Sequence, residues 1–394
     1  MTAARDYPYW KLSGFYFAYF AVLGAMVPFW SLFLQDRGFS LTDIALLTAI
    51  PLGTRIVAPN LWGWIADRQR ARLPIVRAGT LAALLVFAGV WFVDSFAGMA
   101  LVMTGYSFFW NAVLPQFEVV TLNHLGPHIA EYSRVRLWGS VGFILAVVGL
   151  GAVFDVVSVS WLPAFMLAIM VCMWWMSLST TEAGPVPAAH ESSGEFLRLL
   201  RQPVIWALLF ACLLINLSHG PYYTYFSIYL DTRGWTRLGI GGLWALGVIA
   251  EVIVFIYMHR ILARVGAVNV LAGAAAGVVL RWLLLAFLAD SLAALLLAQV
   301  LHAVTFGFLH AAAIHLTHRL FTGTSQGRGQ ALFSSVSYGV GGASGALAAG
   351  ALWPVYGAEV AFVAMSAAGL VALLTIIVLL ARHPLLAHQA TESH

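Results

Sequence analysis

Three residues able to pair or exchange charge lie inside apolar stretches in the second half of the chain: Glu251, Arg281 and His302. An ionisable side chain inside a membrane-spanning helix costs about 3 kcal/mol or more, so it is kept for a function and needs a partner. At about 1.5 Å per residue, each lies roughly 12 to 19 Å from the outer end of its own helix. Because these depths are similar, we expect one cluster in which Glu251 and His302 carry a proton. A histidine that only bonds neighbouring helices is the alternative for His302.

The first half of the chain carries a second set of charges inside or beside apolar runs. Glu118 ends one run and Arg136 opens the next across a short loop, so an ion pair between them is feasible. A structural pair at the membrane interface is the alternative. With Arg55, His219 and Arg281, these two residues are our candidates for binding the substrate.

A basic motif follows the second apolar run, with the sequence Gly63-Trp-Ile-Ala-Asp-Arg-Gln-Arg-Ala-Arg72. A small residue at its start permits close helix approach, and Asp67 can cap a helix end or pair with an arginine. We expect Gly63, Asp67 and Arg68 to form a cytoplasmic loop motif. A loop that is merely basic is the alternative.

The chain offers no combination of residues typical of an enzyme or a metal site. Cys172 and Cys212 both lie in apolar runs, so we expect neither a disulfide nor a thiolate metal site. His310, His315 and His318 lie close together in sequence, but no carboxylate or thiol joins them. We therefore expect no metal, no cofactor and no enzymatic activity. Nothing resembles a basic patch for nucleic acid.

Composition defines the elements that must position these residues. The chain of 394 residues is 61% hydrophobic and only 9% charged, against about 25% charge in soluble proteins. Apolar runs of spanning length recur twelve times. Inside a bilayer every backbone group must be paired within the protein, so the runs must be helices. We predict an all-α membrane protein with twelve transmembrane helices.

The distribution of charge predicts the orientation. If the N-terminus is cytoplasmic, fifteen of the 20 Lys and Arg residues fall at cytoplasmic helix ends. Three fall outside, namely Arg37, Arg233 and Arg237. The positive-inside rule therefore places both termini in the cytoplasm. We expect a multi-pass protein of a bacterial-type inner membrane.

An internal repeat relates the two halves of the chain. The stretch Trp30–Ser40 resembles Phe226–Thr236 at an offset of 196 residues. The same offset places Arg55 at the position of Glu251, which suggests that a cation and an anion lie at equivalent depths. Two six-helix halves in parallel repeat are typical of a large class of transporters.

The domain organisation follows from one long polar loop. We predict a six-helix bundle over residues 1-179, a cytoplasmic linker over 180-202 and a second, pseudo-symmetric six-helix bundle over 203-394. The seventh run, 203–230, contains Pro221. We expect this proline to break the helix and to leave carbonyl groups free beside a cavity.

The motif and the repeat resemble those of the major facilitator superfamily. The motif matches its Gly-x-x-x-Asp-Arg signature, although Ala71 replaces the usual glycine of the basic run. Nearly end to end, the chain is similar to the phenylpropionate permease-like proton symporters. The similarity lies in these stretches: Gly14-Phe-Tyr-Phe-Ala-Tyr-Phe, Pro28-Phe-Trp-Ser31, Val135-Arg-Leu-Trp-Gly-Ser-Val141, His219-Gly-Pro-Tyr-Tyr223, Leu243-Trp-Ala-Leu-Gly-Val-Ile-Ala-Glu-Val-Ile253, and Gln299-Val-Leu-His302 with Phe306.

A more distant resemblance to lactose permease implies roles for individual residues. In that protein the helix-4 carboxylate and helix-5 arginine line the sugar site, and a Glu, an Arg and a His of helices 8 to 10 serve substrate binding and proton coupling. By local context five residues match those positions: Glu118, Arg136, Glu251, Arg281 and His302. One departure is Thr305, where lactose permease has a carboxylate.

Together, these patterns predict a proton-coupled symporter that imports a small organic anion by alternating access. Arg55, Arg136 and Arg281 outnumber Glu118 and Glu251 by one charge, which an aromatic carboxylate such as phenylpropionate would neutralise. A sugar or nucleoside transporter is the alternative, followed by a transporter-like sensor and a membrane-embedded enzyme. The expected partners are the substrate, protons and the lipid bilayer, and we expect a monomer.

Overall fold

The computed structural model describes residues 7–69, 71–182, 184, 193–383 and 386. Within this part of the chain all regular structure is helical. Arg70 of the basic motif and most of the predicted linker lie outside the described residues.

Contacts divide the chain into two compact units. The first unit comprises Met1–Ala188 and Phe226–Ala245, and the second comprises Ala189–Tyr225 and Leu246–His394. The described residues of the first half form seven α-helices: α1 Tyr9–Asp36, α2 Leu41–Thr54, α3 Ala58–Gln69, α4 Leu73–Phe87, α5 Phe96–Leu125, α6 Tyr132–Phe154 and α7 Leu162–Ser179.

The described residues of the second half are also helical. Its helices are α8 Ser193–Leu199, α9 Pro203–Ser218, α10 Gly220–Asp231, α11 Arg237–Val265, α12 Ala267–Phe287, α13 Leu292–His302, α14 Leu309–Leu320, α15 Gln326–Phe333 and α16 Gly342–Thr375. Three stretches are π-helical, with one extra residue in the turn: Ala303–Phe308, Ser334–Gly341 and Ile376–Leu380.

Ten helical segments among the described residues are long and apolar enough to cross a membrane. Eight of them have 20 to 29 residues, which suits a single crossing. The other two, Phe96–Phe154 and Gln326–Leu380, have 59 and 55 residues. The first is interrupted by non-helical dihedrals at His128 and the second by Gly357 at φ 83°. The chain is therefore a multi-pass α-helical membrane protein.

A close helix contact at a glycine occurs in both units. Gly24 and Gly220 are 196 residues apart, the offset of the sequence repeat. A Cβ added at Gly24 would lie 2.6 Å from the carbonyl oxygen of Phe143, and one at Gly220 would lie 2.0 Å from that of Gly345. Only glycine permits the backbones to approach this closely. The two glycines are thus related by the repeat, whereas their partners Phe143 and Gly345 are 202 residues apart and do not follow its offset.

The second apolar run does not form one continuous helix. It breaks at residues 55–57, so that Arg55 lies in a turn between α2 and α3. Pro51 and Pro59 flank the turn, and each lacks the N–H that a helix needs. The carbonyl of Pro51 instead accepts a hydrogen bond of 3.1 Å from Nδ2 of Asn111.

The residues Phe226–Ala245 belong to the first unit because they pack on α6. The Asp155 carboxylate accepts hydrogen bonds from the backbone N–H groups of Arg237 (2.6 Å) and Leu238 (3.2 Å) at the start of α11. A Cβ at Gly241 would lie 2.4 Å from the carbonyl oxygen of Val147. These contacts place residues 226–245 in the first unit, whereas the sequence-based boundary at 180-202 places them in the second bundle. The predicted domain limits remain a prediction.

Candidate functional site

His219 lies at the break between α9 and α10. The N–H of His219 bonds the carbonyl of Asn216 at 3.1 Å, so the carbonyl of Ile215 loses its usual helical donor. Nδ1 of His219 bonds that carbonyl instead, at 2.7 Å. The helix break expected from Pro221 is present. The carbonyl of Ile215 is not free beside a cavity, however, because it accepts a hydrogen bond from His219. Because a carbonyl only accepts, Nδ1 carries a proton and Nε2 of a neutral His219 is an acceptor.

Arg281 of α12 is the charged residue at the centre of the second unit. Its side chain is 0% exposed. Nε donates to the carbonyl of Ala298 at 2.8 Å, and Nη1 donates to Nδ1 of His302 at 3.0 Å and to Oγ1 of Thr305 at 3.2 Å. Its Cζ lies 4.2 Å from the ring centre of Tyr222. All of these partners are neutral groups.

The charge of Arg281 has no counter-ion in direct contact. No carboxylate of the described residues forms an ion pair with it. Its Nη2 is buried and has no hydrogen-bond partner among the described residues. A buried charge is stable only when it is paired. The Nη2 group of Arg281 can therefore donate a hydrogen bond to an anion.

His302 connects Arg281 with Glu251. Nε2 of His302 lies 3.7 Å from Oε2 of Glu251. Since a guanidinium can only donate, Nδ1 of His302 must accept from Arg281. A neutral His302 then carries its proton on Nε2, the nitrogen that faces the carboxylate. His302 cannot hold a second proton until the bond to Arg281 breaks.

Thr305 and His219 hold Arg281 from the other side. Nε2 of His219 lies 3.2 Å from Oγ1 of Thr305, which itself accepts from Arg281. Both nitrogens of His219 are therefore bonded within the protein, and its side chain is only 2% exposed. In this conformation His219 positions Thr305, and Thr305 positions the guanidinium. Thr305 lies in the first π-helical stretch, a feature common at functional sites.

The first unit brings together the other predicted charges around one tyrosine. The hydroxyl of Tyr19 interacts electrostatically with Arg55, Glu118 and Arg136. Its ring is buried and stacks on Trp110 with centroids 4.3 Å apart. Three candidate binding residues that are distant in sequence therefore share one neighbourhood.

Glu118 and Arg136 do not form the direct ion pair that the sequence made feasible. No side-chain nitrogen of Arg136 lies within 4.0 Å of a carboxylate oxygen of Glu118 among the described residues. The Glu118 carboxylate accepts from the hydroxyl of Tyr132 at 3.4 Å, and Cζ of Arg136 lies 4.0 Å from the ring centre of Phe20. The contact with an aromatic face satisfies the arginine in part. Both charged groups are half-buried and keep some exposed surface.

The part of the basic motif from Gly63 to Gln69 lies in a helix rather than on a loop. Gly63, Asp67 and Arg68 belong to α3, which continues to Gln69. Asp67 pairs with Arg72 at 2.6 Å across the helix end, and Arg72 also donates to Gln116. This ion pair ties the end of α3 to the start of α4.

Several polar contacts of the site escaped the sequence analysis. The Tyr222 hydroxyl donates to Oε1 of Gln299 at 2.8 Å, and both residues are buried. Asn111 bonds the broken helix at Pro51. Proline pairs such as Pro51 and Pro59 signal a helix break, but no sequence pattern identifies the residue that compensates for it. Within the described residues no three His, Cys, Asp or Glu side chains are arranged to hold a metal ion.

A buried cluster of charged and hydrogen-bonded groups inside a multi-pass helical protein is typical of membrane transporters. The chain belongs to the MFS_1 like family, whose sequence model matches residues 9–364. It is a major facilitator superfamily transporter and not an enzyme.

Two sequence relatives and one solved structure show the extent of the similarity. The chain is 31% identical over 335 residues to a probable 3-phenylpropionic acid transporter of Escherichia coli, covering 82% of this chain and 86% of the relative. It is 27% identical over 337 residues to a maltose permease of Geobacillus stearothermophilus, covering 83% of each. The crystal structure of the nucleoside transporter NupG matches with a TM-score of 0.81 at 14% identity, covering 94% of this chain and 98% of that one.

Proposed function

We propose that this protein imports a small aromatic carboxylate together with a proton, by alternating access. The observation that carries the proposal is Arg281, a buried guanidinium whose described hydrogen-bond partners are all neutral. A substrate carboxylate would give the guanidinium a charged partner in direct contact through a charge-assisted, bidentate pair of hydrogen bonds. Because Arg281 is fully enclosed in this conformation, the carboxylate reaches it only when a neighbouring side chain moves.

The charge balance of the cluster explains why a proton would accompany the anion. Arg281 contributes one positive charge and Glu251 one negative charge, so the cluster is neutral while His302 is neutral. A carboxylate would add a negative charge in a low-dielectric interior, which is unfavourable without compensation. Protonation of Glu251 restores neutrality. The cluster therefore favours the uptake of one proton with each carboxylate.

The hydrogen bonds assign the proton to Glu251 before His302. As long as Arg281 donates to Nδ1 of His302, the imidazole is held neutral, with its Nε2 proton facing Glu251. When a substrate carboxylate draws Arg281 away, Nδ1 becomes available and His302 can relay or hold the proton. Binding and proton transfer are then linked through one hydrogen bond.

The known relatives leave two classes of substrate to compare. The E. coli relative is described as a probable transporter of 3-phenylpropionic acid, which is an aromatic carboxylate. The maltose permease and the nucleoside transporter handle neutral substrates. Arg281 favours the first class, because a neutral sugar or nucleoside would bring no carboxylate into direct contact with its guanidinium.

The remaining features of the proposal concern the architecture. We place twelve crossings in the ten helical segments, counting Phe96–Phe154 and Gln326–Leu380 as two each. Both termini then lie in the cytoplasm of a bacterial-type cell, and the protein acts as a monomer in the inner membrane. Arg55, Glu118 and Arg136 remain our proposed substrate-binding residues of the first unit.

A thermal-shift screen of the purified protein tests the substrate class. The ligands are 3-phenylpropionate, its amide, maltose and uridine. We expect 3-phenylpropionate to raise the melting temperature, since binding to the folded state stabilises it, and the uncharged amide to have a smaller effect. A shift with maltose or uridine and none with the acid would overturn the proposed substrate.

A further inference from the structure

Tyr222 of α10 covers the guanidinium of Arg281 with its ring and holds Gln299 with its hydroxyl. The Cζ atom of Arg281 lies 4.2 Å from the ring centre of Tyr222. The Tyr222 hydroxyl donates to Oε1 of Gln299 at 2.8 Å. All three side chains are between 0 and 1% exposed. One tyrosine thus encloses both a charged donor and a neutral amide.

Two buried donors beside Tyr222 have no hydrogen-bond partner among the described residues. They are Nη2 of Arg281 and Nε2 of Gln299. The backbone also links the two residues, because Nε of Arg281 donates at 2.8 Å to the carbonyl of Ala298, the residue before Gln299. A buried donor without an acceptor costs free energy, so native proteins contain few of them. Two such donors around one aromatic ring can serve a ligand that brings an acceptor.

The side chain of Tyr222 fills the space beside these donors. The other described hydrogen bonds of the guanidinium go to Ala298, His302 and Thr305. None of them involves Tyr222, so the ring can turn away while the guanidinium stays in place. A phenol ring is close in size to the phenyl ring of an aromatic acid. Displacement of Tyr222 would therefore open a space of suitable size directly at Arg281.

We propose that Gln299 is a further substrate-binding residue and that Tyr222 is the gate in front of it. When Tyr222 turns away, Nε2 of Gln299 donates to one oxygen of the substrate carboxylate, beside the guanidinium of Arg281. The inference rests on the proposed function, because it assumes that the carboxylate binds at Arg281. It adds to that site a neutral amide donor and the side chain that opens it.

The carboxylate has enough acceptor positions for both partners. Its two oxygens offer about four lone pairs, of which a bidentate contact with a guanidinium uses two. A third bond, from Nε2 of Gln299, therefore adds to the contact with Arg281 instead of competing with it. Because the amide is neutral, it strengthens binding of the anion without changing the charge of the cluster. Gln299 thus leaves the proposed proton balance at Glu251 unchanged.

The hydrogen bond between Tyr222 and Gln299 keeps the gate closed. Opening the gate breaks this bond, so substrate binding must offset its loss. The closed ring also attracts the guanidinium of Arg281 through its π-face, and a carboxylate replaces that attraction with a stronger, charge-assisted contact. A neutral aromatic molecule offers no such contact. The gate therefore favours aromatic acids over neutral aromatic compounds.

Isothermal titration calorimetry with 3-phenylpropionate tests the gate. Tyr222→Phe keeps the ring but removes the hydroxyl, so opening the gate no longer breaks the hydrogen bond to Gln299. We expect this variant to bind the acid about fivefold more tightly than the wild-type protein. The matched control is Tyr225→Phe, at a buried tyrosine of α10 whose ring neighbours Trp353. It should keep the wild-type Kd.

A second comparison isolates the donor of Gln299. The double variant Tyr222→Phe/Gln299→Leu should bind the acid about tenfold more weakly than Tyr222→Phe, because it lacks Nε2 and its hydrogen bond to a charged group. Both variants lack the bond between Tyr222 and Gln299, so the gate contributes equally to the two Kd values. The double variant places two apolar groups together and leaves neither partner of that bond unsatisfied, so it should fold like the wild-type protein. Its melting temperature checks this.

The outcomes separate this inference from the function it rests on. If the wild-type protein binds no 3-phenylpropionate, the proposed substrate class is wrong and the inference falls with it. If the wild-type protein binds the acid but Tyr222→Phe binds it no more tightly, or if the double variant binds it as well as Tyr222→Phe, only the roles of Tyr222 and Gln299 are overturned. Tighter binding by Tyr222→Phe, lost again when Gln299→Leu is added, supports them.

Discussion

Arg281 and His302 share a hydrogen bond of 3.0 Å in which only the arginine can donate. This direction determines the state of the imidazole, because Nδ1 must accept and any proton of a neutral His302 lies on Nε2, towards Glu251. The two residues therefore act in opposition: the imidazole gains a second proton only after the guanidinium releases it. A transporter can use this opposition to connect anion binding with proton movement.

The first prediction concerns the charge of the substrate. Arg281→Gln should weaken binding of 3-phenylpropionate much more than binding of its amide, because only the acid loses a charge-assisted contact. We expect a loss of about 3 kcal/mol for the acid, or roughly a hundredfold in Kd. Titration calorimetry on both ligands provides the measurement.

The control for this experiment is Arg134→Gln, at an arginine whose side chain is 66% exposed and pairs with Glu131 on the surface. It should change neither affinity, because exposed ion pairs contribute little. Equal losses for acid and amide in Arg281→Gln would instead assign Arg281 a structural role and favour a neutral substrate.

The second prediction concerns the close helix contact at Gly220 within the second unit. Gly220→Ala should lower the melting temperature of the purified protein, because its Cβ would lie 2.0 Å from the carbonyl oxygen of Gly345 and the helices must separate. Overpacking of this kind typically costs about 1 to 3 kcal/mol. Gly242→Ala is the matched control, since a Cβ there meets nothing within 4 Å. An unchanged melting temperature in Gly220→Ala would contradict the packing described.

Helical periodicity and rise account for what the sequence could predict about the site. Depth along a helix follows from residue number, so Glu251, Arg281 and His302 were expected at one level, and the structure brings them together. Rotation about each helix axis and the rotamers that follow were not predictable. The bonds from Thr305 to Arg281 and to His219 depend on both, and so does the stacking of His302 on Phe306.

The sequence analysis predicted one of the two helix breaks described above. Pro221 indicated the break at His219, whereas the break at Arg55 was missed although Pro51 and Pro59 flank it. Its compensating partner, Asn111, comes from α5 and is close only in the folded protein. Similarly, Asp67 and Arg68 were expected on a cytoplasmic loop because they match the Gly-x-x-x-Asp-Arg signature, but the α3 helix extends through both.

The third prediction concerns orientation. In a background of Cys172→Ser and Cys212→Ala, a cysteine at Arg68 should resist an impermeant thiol reagent in intact cells, because the end of α3 is assigned to the cytoplasm. A cysteine at Asp94, whose side chain is 92% exposed at the opposite end of the membrane-spanning segments, should react readily. The reverse pattern would invert the proposed topology.

Glu251 is the group proposed to take up the proton, and Glu251→Gln tests this role directly in proteoliposomes. The amide mimics the protonated carboxylate and cannot release a proton. Exchange of labelled 3-phenylpropionate without a gradient should therefore continue, while accumulation driven by a pH gradient should be lost. Glu359→Gln, at an exposed glutamate of α16, is the matched control and should accumulate substrate like the wild-type protein.

Exchange and accumulation by Glu251→Gln together show whether Glu251 couples proton movement to transport. Retained exchange with no uphill accumulation is the result predicted by coupling through Glu251. Accumulation of the substrate against its gradient in Glu251→Gln would contradict it, and the proton would then have to be carried elsewhere.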